Sequence, residues 1–130
     1  MSPEQKMVRE FHNRILGDKE MPSPHVPDCR TLLIRGRLIA EESAEFLAGA
    51  SEDDLVKLVD ALVDILYTVY GTADTIGIDL EPVFAEVHRS NMSKRRPDPG
   101  NGGKAVKGPD YSPPDIQGEV MRQMGIRDPR

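Results

Sequence analysis

Four carboxylates define the chemistry this sequence can perform. Glu42 and Glu45 stand one helical turn apart, and Asp60 and Asp64 form an i,i+4 pair. At about 100° per residue, Leu38, Glu42 and Glu45 fall within about 60° of one another on a helix. Thr31 and Ile34 share that stripe, Phe46 borders it and Glu41 sits at its edge. Asp60 and Asp64 share theirs with Val56, Tyr67 and Gly71, flanked by apolar residues on both sides. The acids therefore occupy the apolar faces of their helices, where Leu or Ala would be ordinary.

An unpaired carboxylate in an apolar setting is costly and tends to protonate. Lys57 is too little positive charge for four or five acids facing one another, so bound cations are the economical compensation. Oxygen-only donors favour magnesium, manganese or calcium over zinc. Magnesium commonly completes its shell with water and substrate phosphates. Two other readings compete. An acidic pair on one helix is often only a solvated face, and a di-iron carboxylate bundle also places acids inward. The di-iron chemistry wants Glu-x-x-His pairs, and none of His12, His25 and His88 has a Glu three residues before it.

The elements that must position these acids are helices. Ser2 caps a first helix, with Pro3 at its first position and Gln5 completing a capping box. Met7, Val8, Phe11 and Ile15 recur at helical spacing, and Gly17 ends the run. Three prolines between Met21 and Pro27 forbid regular structure. Asp28 caps a second helix to about Ala48, ended by Gly49. The run Ser51-Glu52-Asp53-Asp54 caps a third to Ile76, whose all-round apolar character marks it as the central, most buried helix. Asp79 starts a fourth, with Pro82 in its first turn, ending near Lys94. Residues 97–114 are rich in Pro and Gly and read as an extended arm, followed by a short helix over 115–124. The expectation is an all-α four-helix bundle, with residues 1–96 as the helical catalytic domain and 97–130 as an arm of the same domain.

Composition narrows the setting. The chain has 130 residues, 5% aromatics and no Trp, which is lean for a monomer and points to apolar surface buried against a second copy. The net charge is −5, yet Arg89–Pro109 holds six basic residues and one acid. A local basic segment on an acidic body excludes a duplex nucleic acid partner, which needs a broad positive face. It suits something small and anionic. The apolar run Leu55–Tyr70 is interrupted by Lys57, Asp60 and Asp64, which excludes a membrane span. One cysteine, Cys29, and no apolar leader core at the N-terminus lead to the expectation of a cytoplasmic protein.

The string Glu41-Glu42-Ser43-Ala44-Glu45, followed by Asp64-Ile65-Leu66-Tyr67, resembles the MazG-like group of all-α nucleoside triphosphate pyrophosphohydrolases. Glu10-Phe11-His12, Val69-Tyr70-Gly71-Thr72-Ala73, Gly77-Ile78-Asp79 and Glu86 to Lys94 are similar to the dUTPase-like, phosphoribosyl-ATP-pyrophosphohydrolase-like branch. The resemblance spans roughly residues 8–116. It implies that Glu42, Glu45 and Asp64 ligate magnesium, with manganese as a substitute, and that Glu41 orients or deprotonates the attacking water. The glutamate the family carries three residues before Asp64 is Ala61 here, and Asp60, on the same face, is the residue expected to replace it. Asn91 and Lys94 match phosphate contacts. Lys107 and Tyr111 in the arm are expected to close over the nucleotide, and His12 to contact the base. The implied reaction releases pyrophosphate from a nucleoside triphosphate, as a house-cleaning or dUTP-type activity, in a homodimer or dimer of dimers. Two other classes stay open: a nucleotide-binding protein that has lost turnover at Ala61, and a non-enzymatic helical dimerisation module.

Overall fold

The structure, a computed structural model, describes residues 1–100 and 102–130. It is all-α, with helices α1 (Pro3–Phe11), α2 (Cys29–Ser51), α3 (Leu55–Ile76), α4 (Leu80–Met92) and α5 (Ile116–Gln123). A π-helical turn, His12–Leu16, continues α1. The chain forms two compact units, Met1–Asp79 and Leu80–Arg130. The all-α class is as expected. The first unit holds α1–α3 and the second holds α4 and α5, so the expected four-helix bundle does not appear inside either unit.

In the first unit the predicted capping signals act largely as read. The Ser2 Oγ accepts from the Gln5 N–H at 3.2 Å, and Asp28 Oδ1 accepts from the Thr31 N–H at 2.8 Å. Gly17 adopts φ 74°, the left-handed conformation that stops the helical run. The α2–α3 junction differs from expectation. Gly49 does not end α2, which runs on to Ser51, and Asp54 rather than Ser51 caps α3, its Oδ1 accepting from the Lys57 N–H at 3.1 Å. Gly49 is a close-approach residue instead. A Cβ there would stand 3.1 Å from the Lys57 Cβ and 3.2 Å from the Leu58 nitrogen. The turn between the helices is so short that α2 and α3 run antiparallel in direct contact, with Asp53 at φ 53° absorbing the reversal.

The expected central position of α3 is not what the chain shows. Its buried residues are Ala61, Gly71, Ala73 and Asp74, while Leu55, Val56, Val59, Leu62, Val63 and Leu66 are exposed. Across the described residues the buried apolar set is small: Val8, Ala61, Ala73 and Ile78. Polar ties hold α1 to the end of α3. Buried Gln5 donates through Nε2 to the Ile78 carbonyl at 2.7 Å, and Arg9 Nε donates to Asp74 Oδ1 at 2.8 Å. The His25 N–H donates to the Ile76 carbonyl at 3.0 Å, pinning the proline loop.

In the second unit α4 stops at Met92, slightly short of the predicted Lys94. The Pro/Gly segment is not simply extended. Arg95 and Val106 exchange both backbone hydrogen bonds, at 2.9 and 3.0 Å, as an isolated antiparallel bridge. Residues 112–115 are fastened to α4. Glu86 Oε1 accepts from the Asp115 N–H at 2.8 Å, and Arg89 donates to the Ser112 Oγ and Pro113 carbonyl, each at 3.0 Å. Arg89 also donates to both Glu86 carboxylate oxygens, at 2.9 and 2.7 Å, and these bonds, with the Asp115 N–H next, hold the Glu86 carboxyl down at about 2. The predicted last helix forms, capped by Asp115. No helix among the described residues is long and apolar enough to cross a membrane.

Candidate functional site: an acidic groove between α2 and α3

The antiparallel register of α2 and α3 brings the two acidic pairs face to face. Glu42, Glu45, Asp60 and Asp64 line one groove of about 300 Å³, together with Lys57 and Ala61. Asp60 stays within this set although it is displaced by one residue from the position where the family motif carries a glutamate. Ala61, the residue at that position, is buried and lines the groove too. Glu42 and Asp64 are half-buried, whereas Glu45 and Asp60 are exposed. The acids therefore face a solvent-open groove and not a closed core. Glu41 is exposed and does not line the groove.

Electrostatics single out Glu42. Desolvation raises its pKa most, and the charges of Asp64, Glu45, Glu41 and Asp60 raise it further. The nearby cation gives little relief, because Lys57 pairs with Glu52 at the end of α2. Among the described residues, no three His, Cys, Asp or Glu side chains are gathered closely enough to hold a metal ion. The donor set is nevertheless all oxygen, carries excess negative charge and opens to solvent, which is the chemistry that suits a hard divalent cation.

The remaining predicted residues are described within their own units. In the second unit, Lys94 Nζ donates to Asn91 Oδ1 at 2.9 Å, and Lys107 Nζ lies 5.1 Å from the centre of the Tyr111 ring. Each predicted pair is thus a contact pair, the second a cation–π interaction. His12 belongs to the first unit and is buried. Its Nδ1 lies 3.6 Å from both Asp18 Oδ2 and Asp74 Oδ2. Phe11 packs edge-on to Tyr67 at 5.7 Å, although both remain partly exposed.

Sequence reasoning missed the second polar cluster of this unit. Arg35 Nε donates to the Thr72 Oγ1 at 3.2 Å, and its Nη2 donates to the Thr68 carbonyl at 3.1 Å. With His12, Asp18, Thr31 and Asp74 it lines a cavity of about 260 Å³. A signal existed. Arg35 lies two turns before Glu42 on the same stripe, and Gly71 lies two turns after Asp64 on the other.

Residues 8–91 match the phosphoribosyl-ATP pyrophosphohydrolase family. The chain belongs to this family. The family falls within the MazG-like all-α nucleoside triphosphate pyrophosphohydrolases, so the acidic stripes of α2 and α3 lie inside the matched region. The chain is also similar to an uncharacterized protein of Acanthamoeba polyphaga mimivirus, with 40% identity over 52 residues. That alignment covers 40% of this chain and 21% of the viral protein, so this phosphoribosyl-ATP pyrophosphohydrolase family member spans only a part of its relative's length.

Proposed function

We propose that the chain is a magnesium-dependent nucleoside triphosphate pyrophosphohydrolase, releasing pyrophosphate and a nucleoside monophosphate from (d)NTPs in a house-cleaning or dUTP-type role. The observation that carries this reading is the groove between α2 and α3 that Glu42, Glu45, Asp60 and Asp64 line. Those four residues would hold the metal. Bound there, magnesium supplies the positive charge that screens the phosphates and acidifies the attacking water. Glu41, whose charge reaches Glu42, is the candidate to orient or deprotonate the attacking water, and Glu42 serves among the acids that hold the metal. Asn91 and Lys94 offer an amide and a point charge to phosphate oxygens, and Lys107 and Tyr111 extend that role along the arm.

The large exposed apolar surface of α3 supports a homodimer or dimer of dimers, since soluble monomers rarely expose contiguous apolar patches of such extent. The test is pyrophosphate release from a panel of nucleoside triphosphates with and without magnesium, beside Glu42→Gln. Magnesium-dependent release that the variant lacks establishes the reaction. Metal-dependent turnover surviving in Glu42→Gln would sink the residue assignment.

A second reading rests on Ala61, which lines the groove where the family motif has a carboxylate. It makes the chain a nucleotide-binding protein without turnover. It requires magnesium-dependent nucleotide binding by calorimetry with pyrophosphate release no faster than the buffer, and a single-turnover burst of pyrophosphate excludes it.

A further inference from the structure

The cavity around Arg35 has features of a recognition site for a neutral, hydrogen-bonding group. Arg35 is a half-buried cation, and no described carboxylate lies within ion-pair distance of it. Its Nε and Nη2 are used on Thr72 and Thr68, and its Nη1 has no protein acceptor among the described residues. A guanidinium nitrogen left this way inside a cavity has donor capacity for a ligand. The walls carry opposing charges, Lys19 and Arg35 against Asp18 and Asp74. An anion gains little from such a balance, whereas a polar neutral ring with acceptors and donors gains from both. Gly71 makes the arrangement possible. Arg35 and His12 press against its backbone so closely that a Cβ would stand 2.8 Å from His12 Nε2.

Position relative to the acidic groove decides what that ring is. Arg35 precedes Glu42 by seven residues, which places it about 10 Å along α2 and within about 20° of the same direction. That is the scale of a nucleoside, measured from its first phosphate to the far edge of its base. We propose that the cavity among His12, Thr31, Arg35 and Asp74 receives the base of the nucleotide, and that Arg35 donates to a ring carbonyl. This rests on the pyrophosphohydrolase reading for the placement of the phosphates. Arg35 is then the specificity-determining residue: uracil and guanine carry the carbonyl, and adenine does not. Buried His12 and Asp74 hold the wall behind it, Asp74 being fixed in turn by Arg9.

The experiment compares dUTP, dGTP, dATP and methyl triphosphate, which keeps the anhydride but has no sugar or base. The wild-type protein, Arg35→Met and Arg35→Gln are assayed, with folding checked by thermal melting. The wild type is expected to favour dUTP and dGTP over dATP by about tenfold or more in kcat/KM, the effect of one hydrogen bond from a charged donor. Arg35→Met should erase that preference through KM and pull dUTP toward methyl triphosphate, and Arg35→Gln should recover part of it. An equal loss on all four substrates, or a preference that survives Arg35→Met, overturns the proposal. A second readout does not need turnover: titration with deoxyuridine should shift the His12 imidazole resonances in the wild type and in Glu42→Gln, but not in Arg35→Met. If no triphosphate is cleaved yet deoxyuridine still moves His12, the reaction falls and the base pocket stands. If triphosphates are cleaved and His12 stays unmoved, the pocket falls and the reaction stands.

Discussion

Arg9 reaches from α1 to α3 and donates through Nε to Oδ1 of Asp74 at 2.8 Å, while its Nη1 lies 2.7 Å from Glu20 Oε1. Asp74 is only 5% exposed, and Arg9 is the cation hydrogen-bonded to it. Removing one partner of such a pair leaves a buried charge uncompensated, which costs about 3–5 kcal/mol. Arg9→Met should therefore lower the urea midpoint markedly, and Arg9→Met with Asp74→Leu should recover much of the loss. A single variant within about 0.5 kcal/mol of wild type would show the pair to be dispensable.

His12 gives this same cluster a pH dependence. Burial lowers its pKa most, Arg35 lowers it further, and Asp74 and Asp18 oppose the shift. The folded value lies below the unfolded value of about 6.5. The unfolded chain then binds the extra proton first, so stability is fully present above pH 6.5 and is lost as pH falls through the folded value. The expected slope in that window is at most about 1.4 kcal/mol per pH unit. Urea melts between pH 5 and 8 should show the decline, and His12→Gln should flatten it.

The contrast between what was legible and what was not follows the range of the interactions. Ser2, Asp28 and Gly17 act within a few residues of themselves, so their roles could be read from local spacing. The acidic stripes were legible for the same reason, because i,i+3 and i,i+4 neighbours share a helix face whatever the tertiary structure. The junction at Ser51 was misread because two capping signals overlap there, and Asp54, adjacent to the first residue of α3, takes the cap. The Arg35 cavity depends on the register between α2 and α3 and on the π-turn that directs His12. Neither is encoded in one helix's periodicity. The exposure of α3 was missed because an apolar circumference does not say whether its cover comes from the same chain.

Repulsion in the acidic groove should be measurable without a substrate. The raised pKa of Glu42 means that its contribution is fully present below the ordinary glutamate range and is lost as pH rises through the folded value. At pH 7 to 8 the metal-free protein therefore carries an unfavourable charge there, and Glu42→Gln should melt higher than wild type. Magnesium should raise the wild-type melting temperature by mass action and raise that of the variant less. Scanning calorimetry with and without magnesium checks both, and a variant that melts lower in the absence of metal would contradict the repulsion.

Gly71→Ala tests the close approach of three elements at one atom. The added methyl would meet the guanidinium of Arg35 and the His12 ring, the latter at 2.8 Å from Nε2. Arg35 is flexible and can yield, whereas His12 is buried. Overpacking of this kind costs about 1–3 kcal/mol, read from urea unfolding. If Arg35 yields as expected, the variant should also lose preference among bases while magnesium binding at the acidic groove persists.

Val59, Leu62, Val63 and Leu66 recur at i, i+3, i+4 and i+7 on α3, and each is at least half exposed. That spacing forms a continuous apolar stripe on one helix face. Burying it against a second copy would contribute about 25 cal/mol for each Å² removed from water, which the small internal core of the isolated chain does not supply. Light scattering on the eluting protein should give a mass of two or four chains. Leu62→Glu places a charge in the middle of the stripe and should shift the protein toward the monomer and lower its melting temperature, while Glu81→Gln, a substitution at an exposed acid in the first turn of α4, should leave the mass unchanged. A wild type that elutes as a stable monomer would mean that the stripe is covered in some other way.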